Sequence, residues 1–283
     1  MTAPITEQGD QLRFVSYGGG VQSTALLVLA AQGRINFRTF VMANVGDDSE
    51  MPATLEYVRH IAAPFAAEHG IDLHMLNRLN RHGDVETLWG RMMKPGSKSL
   101  PIPYRLSANA APVGRACTQN FKTEVTGKWA KANGATKVNP AVVALGISRD
   151  EASRASNKRV SDHEIVVYPL IGVGEETGLK LDRSDCANLI RAAGLPVPPK
   201  SACFFCPFHR PEVWDELARS EPELFEKACH LEESKTAERV ARGLDPIYLT
   251  RFGKPLRLVA SSAQGSMFSD EELENCDSGW CMT

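Results

Sequence analysis

Residues 13–29 read RFVSYGGGVQSTALLVL. RFVSY, partly β-branched and aromatic, has the composition of a short buried strand. From Ser23 the run STALLVLAAQ has that of a helix, which Gly33 stops. Three glycines therefore stand where a strand hands over to a helix. At such a junction the first backbone N–H groups lack an intrahelical acceptor and the helix dipole is positive, so an anion is attracted. Gly18, Gly19 and Gly20 permit positive φ and a close approach of main chain to phosphate oxygens. Ser23 and Thr24 fall in the first helical turn, where a hydroxyl can cap or bind phosphate. The plain alternative is a tight turn of small residues made for packing; the Ser–Thr pair weighs towards phosphate.

Outward from this junction, strands and helices alternate. RTFVMAN (38–44) and IDLHML (71–76) read as strands. ATLEYVRHIAAPFAAEHG between them reads as a helix that opens at Pro52 and that Pro64 kinks or divides. A helix is expected from near Asn120 to Gly134, strands at AVVALGI (141–147) and EIVVYPL (164–170), a short helix at SDCANLIRAAG, and helical, charged sequence over 211–242. Residues 77–116, with GRMMKPGSKSLPIPYR, are expected as a long loop or lid. The alternation predicts an α/β protein with a parallel twisted sheet, right-handed crossovers and flanking helices, followed by a helical C-terminal portion. Two units are expected: a nucleotide-binding α/β domain over 1–200, and over 201–283 a Cys-x2-Cys segment, the helical portion and a cysteine-containing tail.

With 283 residues and 43% hydrophobic content, the chain can build a sizeable core. Its net charge of −2 gives no global field for nucleic acid or membrane. No apolar run approaches the about 20 residues that span a bilayer, and MTAPITEQGDQ lacks the basic start of a signal peptide. A cytoplasmic protein is expected, and a homo-oligomer stays open. Seven cysteines in that compartment are expected as thiols, which points to metal or sulfur chemistry.

Cys203 and Cys206 form CFFCPFH, a spacing that lets two thiolates meet one metal or cluster. A buried apolar turn and a redox pair are the competing readings. Zinc held by Cys117, Cys203, Cys206 and His209 is a further one. Cys186 and Cys229 fall on helical stretches and are expected to pack. Cys276 and Cys281, in CDSGWCMT, belong either to an incidental terminus or to a tail that carries sulfur or electrons. Arg115 and Lys122 flank Cys117, where they would hold phosphate or lower the thiol pKa. Arg149, Glu151 and Arg154 follow a strand end, where they would contact ligand or form helix-start ion pairs. Asp47, Asp48 and Glu50 read as a solvated acidic loop, with magnesium the less favoured use.

SYGGGVQST resembles the pyrophosphate loop of the PP-loop ATP pyrophosphatase superfamily, in the S-x-S-G-G-K-D-S-T form of its phosphoadenosine phosphosulfate (PAPS) reductase-like branch. Ser16, Gly19, Gly20, Ser23 and Thr24 match, while Gly18 replaces a serine, Val21 a lysine and Gln22 an aspartate. ANVGDDSEMPATLEYV (43–58) resembles that branch's second motif, with Asn44, Val45 and Gly46 standing for D-T-G near the adenosine. RACTQNFK (115–122) resembles R-x-C-T-x-x-x-K, and ALGISRDEASR (144–154) resembles G-x-x-x-x-E-S-x-R, led by Gly146. One cysteine plus a C-x2-C resembles the pattern by which iron–sulfur-dependent sulfurtransferases of the superfamily hold a 4Fe–4S cluster. The resemblance implies ATP and Mg2+ on Ser16, Gly18 to Gly20, Gln22 to Thr24, Asn44, Gly46, Arg115, Lys122, Gly146 and Arg149. It implies a cluster, with zinc the alternative, on Cys117, Cys203 and Cys206, while Cys281 is a candidate sulfur carrier on the reading of the tail alone. The implied reaction is ATP-dependent thiolation: adenylation of a nucleic-acid or small-molecule acceptor, pyrophosphate release, and sulfur from sulfide or a cysteine desulfurase. A sulfonucleotide reductase and a non-catalytic zinc-stabilised nucleotide- or nucleic-acid-binding module are the alternatives.

Overall fold

The computed structural model describes residues 11–106, 112, 114–155, 161–175 and 177–262. β1 (Arg13–Ser16) leads through the glycines into α1 (Val21–Ala31), then β2 (Thr39–Asn44). α2 (Pro52–Tyr57) and α3 (Ala63–Glu68) follow, joined through a π-helical stretch at Val58–Ala62, and then β3 (Asp72–Asn77). Pro64 does not break this helix. The ring removes an N–H and crowds the preceding turn, and the widened turn just upstream absorbs the mismatch.

α4 (Leu88–Met93) lies in the stretch expected as a loop; Thr87 caps it, its hydroxyl accepting the Gly90 N–H at 2.9 Å. α5 (Ala116–Thr118) runs through a π-helical stretch, Gln119–Thr123, into α6 (Glu124–Ala132). The helix thus opens four residues before Asn120 and takes Cys117 into its first turn. The Cys117 N–H is satisfied by the distant carbonyl of Pro101 at 2.7 Å, a tertiary bond with no local capping signal. β4 (Ala141–Ala144), β5 (Glu164–Val167) and α7 (Arg183–Ala192) complete the α/β unit. The two strands are shorter than the apolar runs that announce them. α8 (Pro211–Ser220), α9 (Pro222–Val240) and α10 (Leu256–Ser262) make the C-terminal portion. Within the expected helical stretch 211–242, Pro222 separates α8 from α9 because it cannot donate to the preceding turn but is suited to begin a new one.

The five strands form one sheet in the order β3-β2-β1-β4-β5, every pair parallel. Side chains alternate as a strand period of two requires. Val15, Phe40, Met42 and Val142 join α1, α2 and α7 in one core, while Phe14, Val41 and Val143 face α6 in another. α1 is apolar nearly all round, and its residues Val21 and Ser23–Ala30 are buried between the sheet and α7. The expected parallel α/β sheet is therefore present, with helices on both faces.

A third core joins Trp214, Leu217, Phe225, Leu231 and Leu256 of the C-terminal helices to Leu88, Met92, Tyr104 and Phe121. The stretch expected as a lid is thus packed against the C-terminal portion. No helix among the described residues is long and apolar enough to cross a membrane.

Candidate functional site

The glycine loop lies at the carboxyl edge of the sheet, beside the position where the strand order reverses. β2 and β3 extend on one side of β1, β4 and β5 on the other. Ligands of open parallel sheets bind at such a reversal. Gly19 has φ +74°, and a Cβ there would stand 3.0 Å from methyl groups of both Thr54 and Val58. Gly20 is extended and opens α1, with no side-chain cap. The Thr24 N–H donates to the Gly20 carbonyl at 2.9 Å, so the amides ahead of it in the first turn lack an intrahelical acceptor. Uncapped amides beside a backbone that only glycine makes are the physical requirement for an anion cradle.

The two hydroxyls of this turn are used inside the protein. Ser23 Oγ donates to the Gly20 carbonyl at 3.1 Å, and Thr24 Oγ1 shares a hydrogen bond with the buried Tyr17 hydroxyl at 3.1 Å. Burial pushes the Tyr17 phenol well above its ordinary range, which keeps it protonated. Thr24, engaged through both amide and hydroxyl, locks the loop onto the sheet.

Gly146, just beyond β4, runs against this helix end. A Cβ there would lie 2.9 Å from Ser23 N and 3.0 Å from Gln22 C. Gln22 ties the loop to the following segment: its Nε2 donates to Glu151 at 3.3 Å and to Ser148 Oγ at 3.4 Å. Its Oε1 accepts from Arg183 at 3.1 Å. Glu151 is paired with Arg154 at 2.7 Å, both nearly buried. Arg149 instead points away, pairing with Asp182 at 2.9 Å, the residue that caps α7. Arg183 and Ser148 carry no signal in the sequence. Arg183 lies 161 residues from Gln22, and no local pattern marks the pairing.

At the end of β2, Asn44 builds its own turn. Its Oδ1 accepts the Gly46 N–H at 2.9 Å and its Nδ2 donates to Asp47 at 2.7 Å. Gly46 has φ +126°, and a Cβ would fall 2.5 Å from Asp48 Oδ1 and 2.6 Å from Thr87 Cβ, so only glycine fits. Arg59, 2.5 Å from Asp47, holds that carboxyl below its ordinary range. Asp48 accepts from the hydroxyls of Ser49 and Thr87, each at 2.8 Å.

The Cys-x2-Cys turn is laid directly on this edge. The Met51 N–H donates to Ala202 O and the Phe204 N–H to Ser49 O, each at 3.1 Å, around an antiparallel bridge between Glu50 and Cys203. Ser201 Cβ stands 3.7 Å from the point that a Gly20 Cβ would occupy. Within the turn the Cys206 N–H donates to Cys203 O at 3.1 Å, and His209 Nε2 donates to the same carbonyl at 2.9 Å. Desolvation drops His209 to about 4, so its ring is neutral at physiological pH. That nitrogen braces the turn, which leaves Nδ1 as the ring atom that could serve the zinc reading.

Cys117 arrives from the other direction. It and Cys203 pack against one apolar core, and Arg115 lays its guanidinium over the Phe208 ring at 5.2 Å. Lys122 follows in the same helix. Cys117, Cys203 and Cys206 are half-buried. Among the described residues, however, no three His, Cys, Asp or Glu side chains stand as a metal-ligand group. Cys186 and Cys229 are fully buried in apolar cores, each thiol pushed up to about 12 by burial, as packing residues should be. Cys276 and Cys281 lie outside the described residues.

No protein-family model matches the chain, and no curated protein matches it. Among solved structures the chain is similar to the U34-tRNA thiolase NcsA from Methanococcus maripaludis with its 4Fe–4S cluster. The identity is 14%, over 81% of this chain and 73% of that one, with a TM-score of 0.42.

Proposed function

We propose that the chain is a PP-loop ATP pyrophosphatase-type sulfurtransferase: it binds ATP, adenylates an oxygen of an acceptor with release of pyrophosphate, and replaces that oxygen with sulfur. One observation carries the reading. The turn holding Cys203 and Cys206 is bridged to Ser49–Met51, between β2 and α2, and brings Ser201 Cβ to 3.7 Å from the point that a Gly20 Cβ would occupy. Adenylation and sulfur delivery act in turn on one acceptor atom, so a phosphate cradle and thiols on a single edge are what the reaction needs.

In this reading the first-turn amides of α1 accept the nucleotide's phosphates, and Gly19 and Gly20 keep side chains out of the way. Gln22, held by Ser148, Glu151 and Arg183, fixes the orientation of the loop against the segment after β4. Mg2+ arrives with the nucleotide. Of the acidic loop for which magnesium is the less favoured use, Asp47 is engaged by Arg59, Asp48 by Thr87, and Glu50 is buried.

The sulfur-holding group is assigned to Cys117, Cys203 and Cys206, with a 4Fe–4S cluster as the reading and zinc as the alternative. The support is donor type and shared location, and a cluster there would supply an iron-bound sulfide or an iron site for the incoming sulfur. Among the described residues the three thiols do not stand as a ligand group.

The decisive measurement is pyrophosphate release from ATP in the presence of tRNA, DNA or metabolite pools. The expected outcome is release that one pool stimulates, with label from a sulfur donor appearing in that pool. Reduction of a sulfonucleotide without pyrophosphate release would replace this reading with the reductase.

A further inference from the structure

Immediately after Cys206 the chain borders a pocket whose lining includes Arg105, Phe208, Arg210, Trp214, Arg251 and Phe252. Three guanidiniums reach it from three separate segments. Arg105 and the stretch leading to Arg251 are pinned together by a two-residue bridge: the Arg105 N–H donates to Tyr248 O at 3.0 Å and the Tyr248 N–H to Arg105 O at 2.8 Å. Arg210 opens α8 from the other side. The Phe208 and Phe252 rings are half-exposed, each within reach of a guanidinium: Arg115 over Phe208 at 5.2 Å, and Arg251 over Phe252 at 5.5 Å. Trp214 is 1% exposed, and its indole Nε1–H finds no acceptor among the described residues. A buried N–H left without an acceptor is destabilising, so an acceptor supplied by a ligand would be favoured at this wall.

Guanidiniums recognise phosphate by paired N–H bonds, and flat rings stack on nucleobases. A chain of net charge −2 has no global attraction for polyanions, so such recognition must come from a local patch of this kind. We propose that this pocket is a nucleotide-recognition subsite: arginines on the phosphate, Phe208 or Phe252 against the base, and the indole N–H on a further oxygen. If the sulfurtransferase reading holds, and the assignment to the acceptor rests on it, the nucleotide belongs to the acceptor and is held next to Cys206. The nucleotide unit has two sources, a free mononucleotide or a residue in a single strand.

The test uses the full chain with ATP held saturating, so that the glycine loop is filled. Probes are 5′-UMP, a labelled short oligouridylate and inorganic phosphate. Affinity for the favoured probe should fall about tenfold in Arg251→Ala and in Arg210→Ala, as removal of a charge-assisted pair implies. For the strand, the slope of log affinity against log salt should shrink by about 0.7 for each phosphate that is no longer neutralised. Phe208→Leu, which keeps every charge, should weaken base-containing probes alone and serves if an arginine variant does not fold. Tight strand binding with weak UMP assigns the strand; equal affinities assign the mononucleotide. Absence of binding by either probe, wild-type affinity in all three variants, or inorganic phosphate competing as well as UMP would overturn the subsite. Pyrophosphate release separates the two ideas. Stimulated release with an unchanged acceptor KM in these variants sinks the pocket alone, and nucleotide binding without release from any pool sinks the sulfurtransferase alone.

Discussion

At the residue scale, two adjacent glycines that look alike in sequence do different work. Gly19 sits at φ +74° with methyl groups 3.0 Å from its missing Cβ, whereas Gly20 is extended and has only Ser201 at 3.7 Å. Alanine at Gly19 therefore meets both backbone strain and crowding and should cost roughly 1–2 kcal/mol of stability. Alanine at Gly20 meets neither and should leave the melting temperature nearly unchanged, but its methyl would stand at the mouth of the uncapped α1 amides. ATP affinity measured by calorimetry should fall at least tenfold in Gly20→Ala. Unchanged affinity in that folded variant would remove the glycine loop from nucleotide binding. The glycines were legible because strand, glycines and helix follow one another within the local sequence, and so was Gly46 through its resemblance to a known motif. Arg183 and Ser148, which hold Gln22, were not legible, since tertiary packing alone brings them to the loop. Nor were Arg105 and Arg251, which no local pattern marks and which line one pocket where Arg105 is bridged to Tyr248.

At the element scale, the C-terminal helices are joined by a buried acid that no sequence pattern announced. Glu232 on α9 is 3% exposed, and its two oxygens accept the N–H groups of Leu249 at 2.6 Å and Leu256 at 2.7 Å. Burial dominates and raises its carboxyl from 4.5 to about 7, although the two amides pull the other way. Between these values the folded chain holds a proton that the unfolded chain has released. Stability contributed here is full below about pH 4.5 and is lost as pH rises through 7, on the order of 3 kcal/mol in all. Urea melts at pH 5 and pH 7.5 should show that fall in the wild type and a shallower one in Glu232→Gln. Equal pH dependence in both would show that Glu232 is not its source. The same scale shows where sequence periodicity falls short. The α1 and α7 patterns, a buried apolar run and an amphipathic stripe closed by Gly194, were readable. The passage through Pro64 was not, because the widened turn that tolerates it has no residue signature. The start of the Cys117 helix was hidden because its amide is satisfied by Pro101, a partner outside the helix.

At the scale of the whole molecule, the question is whether two distant segments make one sulfur-holding centre. The parallel sheet was legible from alternating strands and helices, and it alone dictates that the loops after β1, β2 and β4 share an edge. What the sequence could not supply is the pairing of residues 49–51 with 202–204, which lays the Cys-x2-Cys turn on that edge. Cys117 reaches the same apolar core from the start of its helix. If these three thiols bind a cluster, anaerobically prepared protein should be brown, with broad absorbance near ~400 nm from sulfur-to-iron charge transfer and about four irons per chain. Serine at Cys117, Cys203 or Cys206 should bleach that colour, because a hydroxyl gives up its proton far less readily than a thiol. Serine at Cys186 or Cys229 should keep it, since burial in apolar cores holds those thiols protonated. The Cys281→Ser variant adds a third arm: colour kept with sulfur transfer lost makes the tail a carrier, and colour lost makes it a ligand. Colourless protein containing one zinc per chain, after anaerobic purification with iron supplied, would exchange the cluster for the zinc alternative. Protein binding neither metal under those conditions would overturn the cluster and the zinc alternative together.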